Sequence, residues 1–188
     1  MLILTTIFLV RQQEFNSVTL LRTLAYSVAL SVRQAQVYGT SVRETDPTAL
    51  NPTFAPGHGL YFTGTNPTTY TLFADIDNDN RYDTGESLEV FTLPRGYRIN
   101  GVCAVRGDGV RRCTTAALDT SGGATIDELH VFFRRPNPDA IFSAYFGGST
   151  IPGDTYVNGY VQVVSGNGTT RSVTVTSTGQ IQVGGLGT

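Results

Sequence analysis

The chain contains no lysine: all thirteen of its basic residues are arginine. This excludes the phosphate-gripping lysine of a P-loop, Schiff-base chemistry and a lysine general base. Tryptophan is missing too, charged residues make up only 15%, and a net charge of −2 gives no general attraction to nucleic acid or an anionic membrane. The small arginine groups Arg106, Arg111, Arg112 and Arg134, Arg135 lack the interleaved aromatics of a single-strand-binding surface, so nucleic acid is not among the expected partners. No G-x-S-x-G, C-x-x-C or H-E-x-x-H pattern occurs. The two histidines, His58 and His130, are distant in sequence. A hydrolytic pairing of His130 with Asp127 or Glu128 is weighed against the ordinary fate of strand histidines, which is to be packed without a task. The second reading is preferred, and the chain is taken as non-enzymatic.

What is present fits one ordered, turn-rich domain: 188 residues, 40% hydrophobic, with 21 glycines. Cys103 and Cys113 lie symmetrically about Asp108 in CAVRGDGVRRC, where Gly107, Asp108 and Gly109 supply a turn. They are expected to face each other across a hairpin. A bond between them closes a loop worth ~2.7 kcal/mol in the loop-entropy model and implies an oxidising, extracytoplasmic location. The alternative is a pair of free thiols in a cytosolic strand.

Met1 to Val10, MLILTTIFLV, form an apolar run that ends at Arg11. A bilayer span needs about 20 apolar residues, so the run is read as the distal half of a longer hydrophobic helix. No proline or glycine follows until Gly39, and Val18, Leu21, Leu24, Ala25, Val28, Val32 and Ala35 recur at the spacing of one apolar helix face. The pattern predicts a helix of roughly forty residues, apolar all round and then amphipathic. Arg11, Arg22, Arg33 and Arg43 return to nearly the same side of it, read as a solvated stripe in preference to an intersubunit salt-bridge seam. Residues 45–59 are rich in Pro, Thr, Asn and Gly and read as a connecting loop. Beyond it, short alternating or β-branched runs from Leu60 to Val183, each bounded by turn residues, read as an antiparallel meander. The expected fold is therefore α+β, a long N-terminal helix packed on an antiparallel sheet domain. It divides into a helix (1–44, of which 1–16 form a filament core and 17–44 pack on the sheet), a loop (45–59) and a β-domain (60–188).

Asp75, Asp77, Asp79, Asp83 and Glu86 occupy positions 1, 3, 5, 9 and 12 of DIDNDNRYDTGE, the oxygen-ligand spacing of an EF-hand calcium loop, with the Arg81 carbonyl at position 7. Position 6 is Asn80 where glycine is the rule, and Asn tolerates a left-handed backbone better than other non-glycine residues. The competing reading is a metal-free surface turn. Calcium is preferred, because so many carboxylates repel one another unless a cation neutralises them.

The helix stretch TLLRTLAYSVALSVRQAQVYGTSVR, the segment YTLFADIDNDNRYDTGE and the closing TTRSVTVTSTGQIQV together resemble the type IV pilin and type II secretion pseudopilin family, in particular its minor pseudopilin H-like members. That family's basic leader and its glutamate inside the apolar run are not matched here, and Glu14 lies past that run. The resemblance implies a pilin fold, insertion in the inner membrane before assembly, pilus or secretion machinery as partners, and an extracellular helical homo-oligomer. Leu2, Ile3, Leu4, Ile7, Phe8, Leu9 and Val10 are the expected filament core. Without lysine, intersubunit isopeptide bonds are excluded, so such a filament is held non-covalently. A minor pseudopilin of type II secretion and a calcium-binding adhesin module are the alternatives.

Overall fold

The computed structural model describes residues 2–41, 57–122, 125–151 and 155–184, with side chains in the helix from Ser17 onward. The elements are a helix α1 (Leu2–Thr40) followed by β1 (Gly57–Thr63), β2 (Thr69–Asp75), β3 (Ser87–Thr92), β4 (Tyr97–Arg106), β5 (Arg111–Cys113), β6 (Glu128–Arg134), β7 (Ala140–Phe146), β8 (Ser149–Thr150), β9 (Tyr156–Ser165), β10 (Thr170–Thr176) and β11 (Ile181–Val183). They form two antiparallel sheets, ordered β3-β2-β1-β6-β7-β8 and β11-β10-β9-β4-β5.

This corrects the expected fold class. The α+β pilin fold, a long helix lying on a sheet, is replaced by a mostly β protein of two antiparallel sheets, and the helix whose side chains are described is the stretch from Ser17 to Thr40. Among the described residues no helix is long and apolar enough to cross a membrane. The physical reason is that alternation marks a strand and its buried face without saying which strand it pairs with. Here β4 leaves its sequence neighbour β3 to pair with β9, far along the chain, and that crossover creates the second sheet.

The helix stripe is buried as its spacing predicts: Leu21, Leu24, Ala25, Val28, Val32 and Ala35 are in the core, and Val18 is half-buried. Arg22 and Arg33 are exposed. The helix meets β1 and β6 of the first sheet and β9, β10 and β11 of the second, so one apolar face closes the core between both sheets. Val161, Val163, Val173 and Val175 face it from the second sheet, and Leu60, Phe62, Leu129, Val131 and Phe133 from the first. Polar ties fix the register. Tyr97 donates its hydroxyl to the Ser17 carbonyl at 3.2 Å, Ser31 and Tyr70 share a hydrogen bond at 3.0 Å, and the Gln36 amide donates to the carbonyls of Pro138 and Gly179 at 2.8 and 3.1 Å.

Strand β1 begins at Gly57, inside the segment expected to be loop, and buries His58. A Gly-His-Gly sequence carries little strand propensity of its own, but its neighbours supply the cover. A Cβ on Gly59 would stand 2.7 Å from the Phe73 ring and one on Gly57 would collide with the Phe132 ring, so both glycines are where flanking aromatics cross β1. Cys103 and Cys113 are directly opposite in the β4–β5 ladder and form a disulfide, as the hairpin reading anticipates. The expected filament-core side chains, Leu2 to Val10, lie outside the described residues, as does most of the 45–59 segment.

Candidate functional site

The acidic segment between β2 and β3 folds back over the outer face of the first sheet. Asp75 closes β2 and is fully buried, and Glu86 is nearly so, while Asp77, Asp79 and Asp83 are exposed. Short polar chains in this arrangement bind their own backbone. Asp75 accepts from the N–H groups of Asp79 and Asn80 at 3.1 and 3.2 Å, and Asp79 from Arg81 at 2.7 Å. Glu86 accepts from Ile76 at 2.6 Å with one oxygen and from Asp83 at 2.9 Å with the other. These Asx-type bonds curl the chain so that alternate carboxylates converge. Ligand atoms of Asp75, Asp77 and Glu86 lie within 4.8 Å of one another, and so do those of Asp77, Asp79 and Asp83.

All five carboxylates singled out by spacing are thus gathered around Asp77. Asn80 takes φ 64°, the left-handed conformation demanded of the sixth position of such a loop, and its side-chain oxygen is buried without a hydrogen-bond partner among the described residues. An all-oxygen donor set of this kind suits a hard cation such as calcium. The electrostatics fit as well. Burial pushes the Asp75 carboxyl up to about 6, nearby Glu86 adds to the rise, and backbone N–H bonds only partly offset it.

The residues that hold this loop in place have no such spacing to reveal them. The Tyr82 ring packs at a tilt against that of Tyr61, 4.8 Å between centroids, and the Tyr82 backbone N–H donates to Nδ1 of His130 at 3.0 Å. The Arg81 guanidinium lies 4.7 Å above the Tyr145 ring and reaches Glu128 at 3.5 Å. Phe73, Tyr61 and Tyr145 pack around His130, which is fully buried. Burial lowers the His130 pKa against the opposing pull of Glu128, so the ring is neutral, accepts at Nδ1 and carries its proton on Nε2. That Nε2 stands 3.6 Å from a Glu128 oxygen, too far for a hydrogen bond, and has no other partner among the described residues.

The structure therefore brings His130 and Glu128 together but leaves Asp127 apart, accepting from the Gly147 N–H at 2.7 Å. His58, buried beside Tyr38 with the rings edge to face, belongs to neither group. The available signal for this outer cluster is the doubly apolar character of β2 and β6: YTLFAD and LHVFF place large side chains on both faces, as strands covered on both sides do.

No family model matches this chain, and no curated protein or solved structure is significantly similar to it.

Proposed function

We propose that the chain is a subunit of an extracellular, non-covalent filament of the type IV pilus-like class, assembled by packing the apolar N-terminal ends of its helices. The observation that carries the reading is the continuity of α1: Leu2 to Val10 stand on the same helix whose later turns, from Ser17, are docked on both sheets. The helix has two chemistries in series, and the docked one already has its partners in the β-domain. Burying side chains such as Leu2, Ile3, Leu4, Ile7, Phe8 and Leu9 against copies would contribute on the order of 10 kcal/mol per subunit before ordering costs. The disulfide between β4 and β5 suits an oxidising location outside the cytoplasm. Removing residues 1 to 15 tests the reading. The shortened chain is expected to be a soluble monomer by sedimentation, whereas filaments formed by it would overturn the helix-packing mechanism.

In the same reading the acidic loop holds calcium through Asp75, Asp77, Asp79, Asp83, Glu86 and the Arg81 carbonyl. The ion would neutralise the clustered charge and stiffen an exposed loop, at extracellular concentrations that fill even a weak site. A second reading, a calcium-bearing surface recognition module, is favoured by one observation: the same loop is clamped onto an aromatic platform through His130 and Tyr82, which gives it a rigid base.

A further inference from the structure

The turn joining β6 to β7 and the first bend of the acidic loop border a surface cavity of about 680 Å3. Arg134, Arg135, Asn78, Asn137, Asp139 and Ile141 line it. Neither Arg134 nor Arg135 makes a side-chain hydrogen bond or ion pair with any described residue. Arg81 is paired with Glu128, and Arg106 with Asp108. The guanidiniums of Arg134 and Arg135 border the same cavity and present planar forks of donors suited to a carboxylate or phosphate.

The remaining lining is not simply cationic. The amides of Asn78 and Asn137 both donate and accept, Asp139 only accepts, and Ile141 adds an apolar surface. A bare phosphate would satisfy the arginines while setting a second negative charge near Asp139. A ligand with one anionic group and several hydroxyls satisfies both ends, donating to Asp139 and resting its C–H face on Ile141. We propose that this cavity binds an acidic saccharide, a uronate unit whose carboxylate sits on Arg134 and Arg135 while its hydroxyls bond to Asn78, Asn137 and Asp139. The site does not depend on filament assembly, and of its lining only Asn78 belongs to the acidic loop.

The test is a titration of the 15N-labelled full chain, kept in nonionic detergent without calcium, with digalacturonate, neutral galactobiose and inorganic phosphate in separate experiments. Digalacturonate is expected to shift the amide signals of Asn78, Arg135 and Asn137, and to bind on the order of tenfold more tightly than either control, the worth of one charge-assisted pairing. Arg134→Gln and Arg135→Gln should each weaken it by a similar factor, with thermal melts unchanged because Arg134 is exposed and Arg135 half-exposed. Asp139→Asn should weaken digalacturonate but not phosphate. Equal binding of galactobiose, phosphate binding as tight as digalacturonate, indifference to both arginine substitutions, or no shift at millimolar ligand would each overturn the proposal.

Discussion

Replacing Asp75 by asparagine should change stability in opposite directions with and without calcium, which makes it the sharpest test of the acidic loop. The Asp75 carboxyl is fully buried and raised from 3.8 to about 6. For an acid with a raised folded-state pKa, the native protein holds a proton that the unfolded chain releases. The favourable contribution is complete below pH 3.8 and is lost as pH rises through about 6. A rise of about two units corresponds to about 3 kcal/mol of destabilisation at pH 7 relative to a group without the shift. Asparagine removes that charge, but it has one acceptor oxygen where the carboxylate has two. Of the bonds from the Asp79 and Asn80 N–H groups it keeps one, at a cost of about 1 kcal/mol. Calcium-free Asp75→Asn is therefore expected to be about 2 kcal/mol more stable than the parent at pH 7, with the advantage gone near pH 4. With calcium at a hundredfold excess over its dissociation constant the parent gains about 2.7 kcal/mol and the variant little, so their order reverses. Urea melts at both pH values, in EGTA and in calcium, read all the quantities. A variant less stable than the parent in EGTA at pH 7, together with a parent melt indifferent to calcium, would return the loop to an ordinary acidic turn.

Glu86→Gln should likewise abolish most of the calcium-dependent shift in Tm, while in EGTA it should lose about 1 kcal/mol, because Gln keeps only one of the two acceptors used by the Ile76 and Asp83 N–H groups, as scanning calorimetry would show. Reduction should add two hydrogens to the intact mass by opening Cys103–Cys113, and a Cys103→Ala, Cys113→Ala double variant should lose about 2.7 kcal/mol in a urea melt; free thiols in protein recovered from the cell exterior would contradict the oxidising location. His130→Phe keeps a flat aromatic ring, slightly larger than the imidazole, but deprives the Tyr82 N–H of its acceptor, at about 1–3 kcal/mol. Hydrogen exchange at Tyr82 should accelerate while the β10 amides of the other sheet stay protected, and uniform acceleration would mean that His130 supports the whole β-domain instead of the loop.

The buried helix stripe and the local turns are legible because each is written in short-range spacing. The stripe from Leu21 to Ala35 is buried as its period requires, the two cysteines meet across their turn, and Asn80 takes the backbone conformation that position 6 of the acidic loop calls for. What stayed hidden is non-local. The pairing of β4 with β9 joins segments whose own alternation is equally compatible with a single meander, so the two-sheet architecture was not legible. His58 reads as a loop residue because the glycines beside it look like breakers, and only the rings of Phe73 and Phe132 crossing from other strands make that stretch a strand. Glu128, Tyr61 and Tyr145 became part of the candidate site for the same reason: sheet register brings them beside a loop distant in sequence.

The two hydrogen bonds of Gln36 give the molecule a mechanical property. Through the carbonyls of Pro138 and Gly179, one amide near the end of the helix links it to the turn between β6 and β7 and to the turn between β10 and β11, one from each sheet. Force applied along the helix axis would load the buried stripe and both anchors together, in shear, instead of peeling them apart one turn at a time. Both sheets would share the tension, and detaching the helix would require the core to fail as one unit.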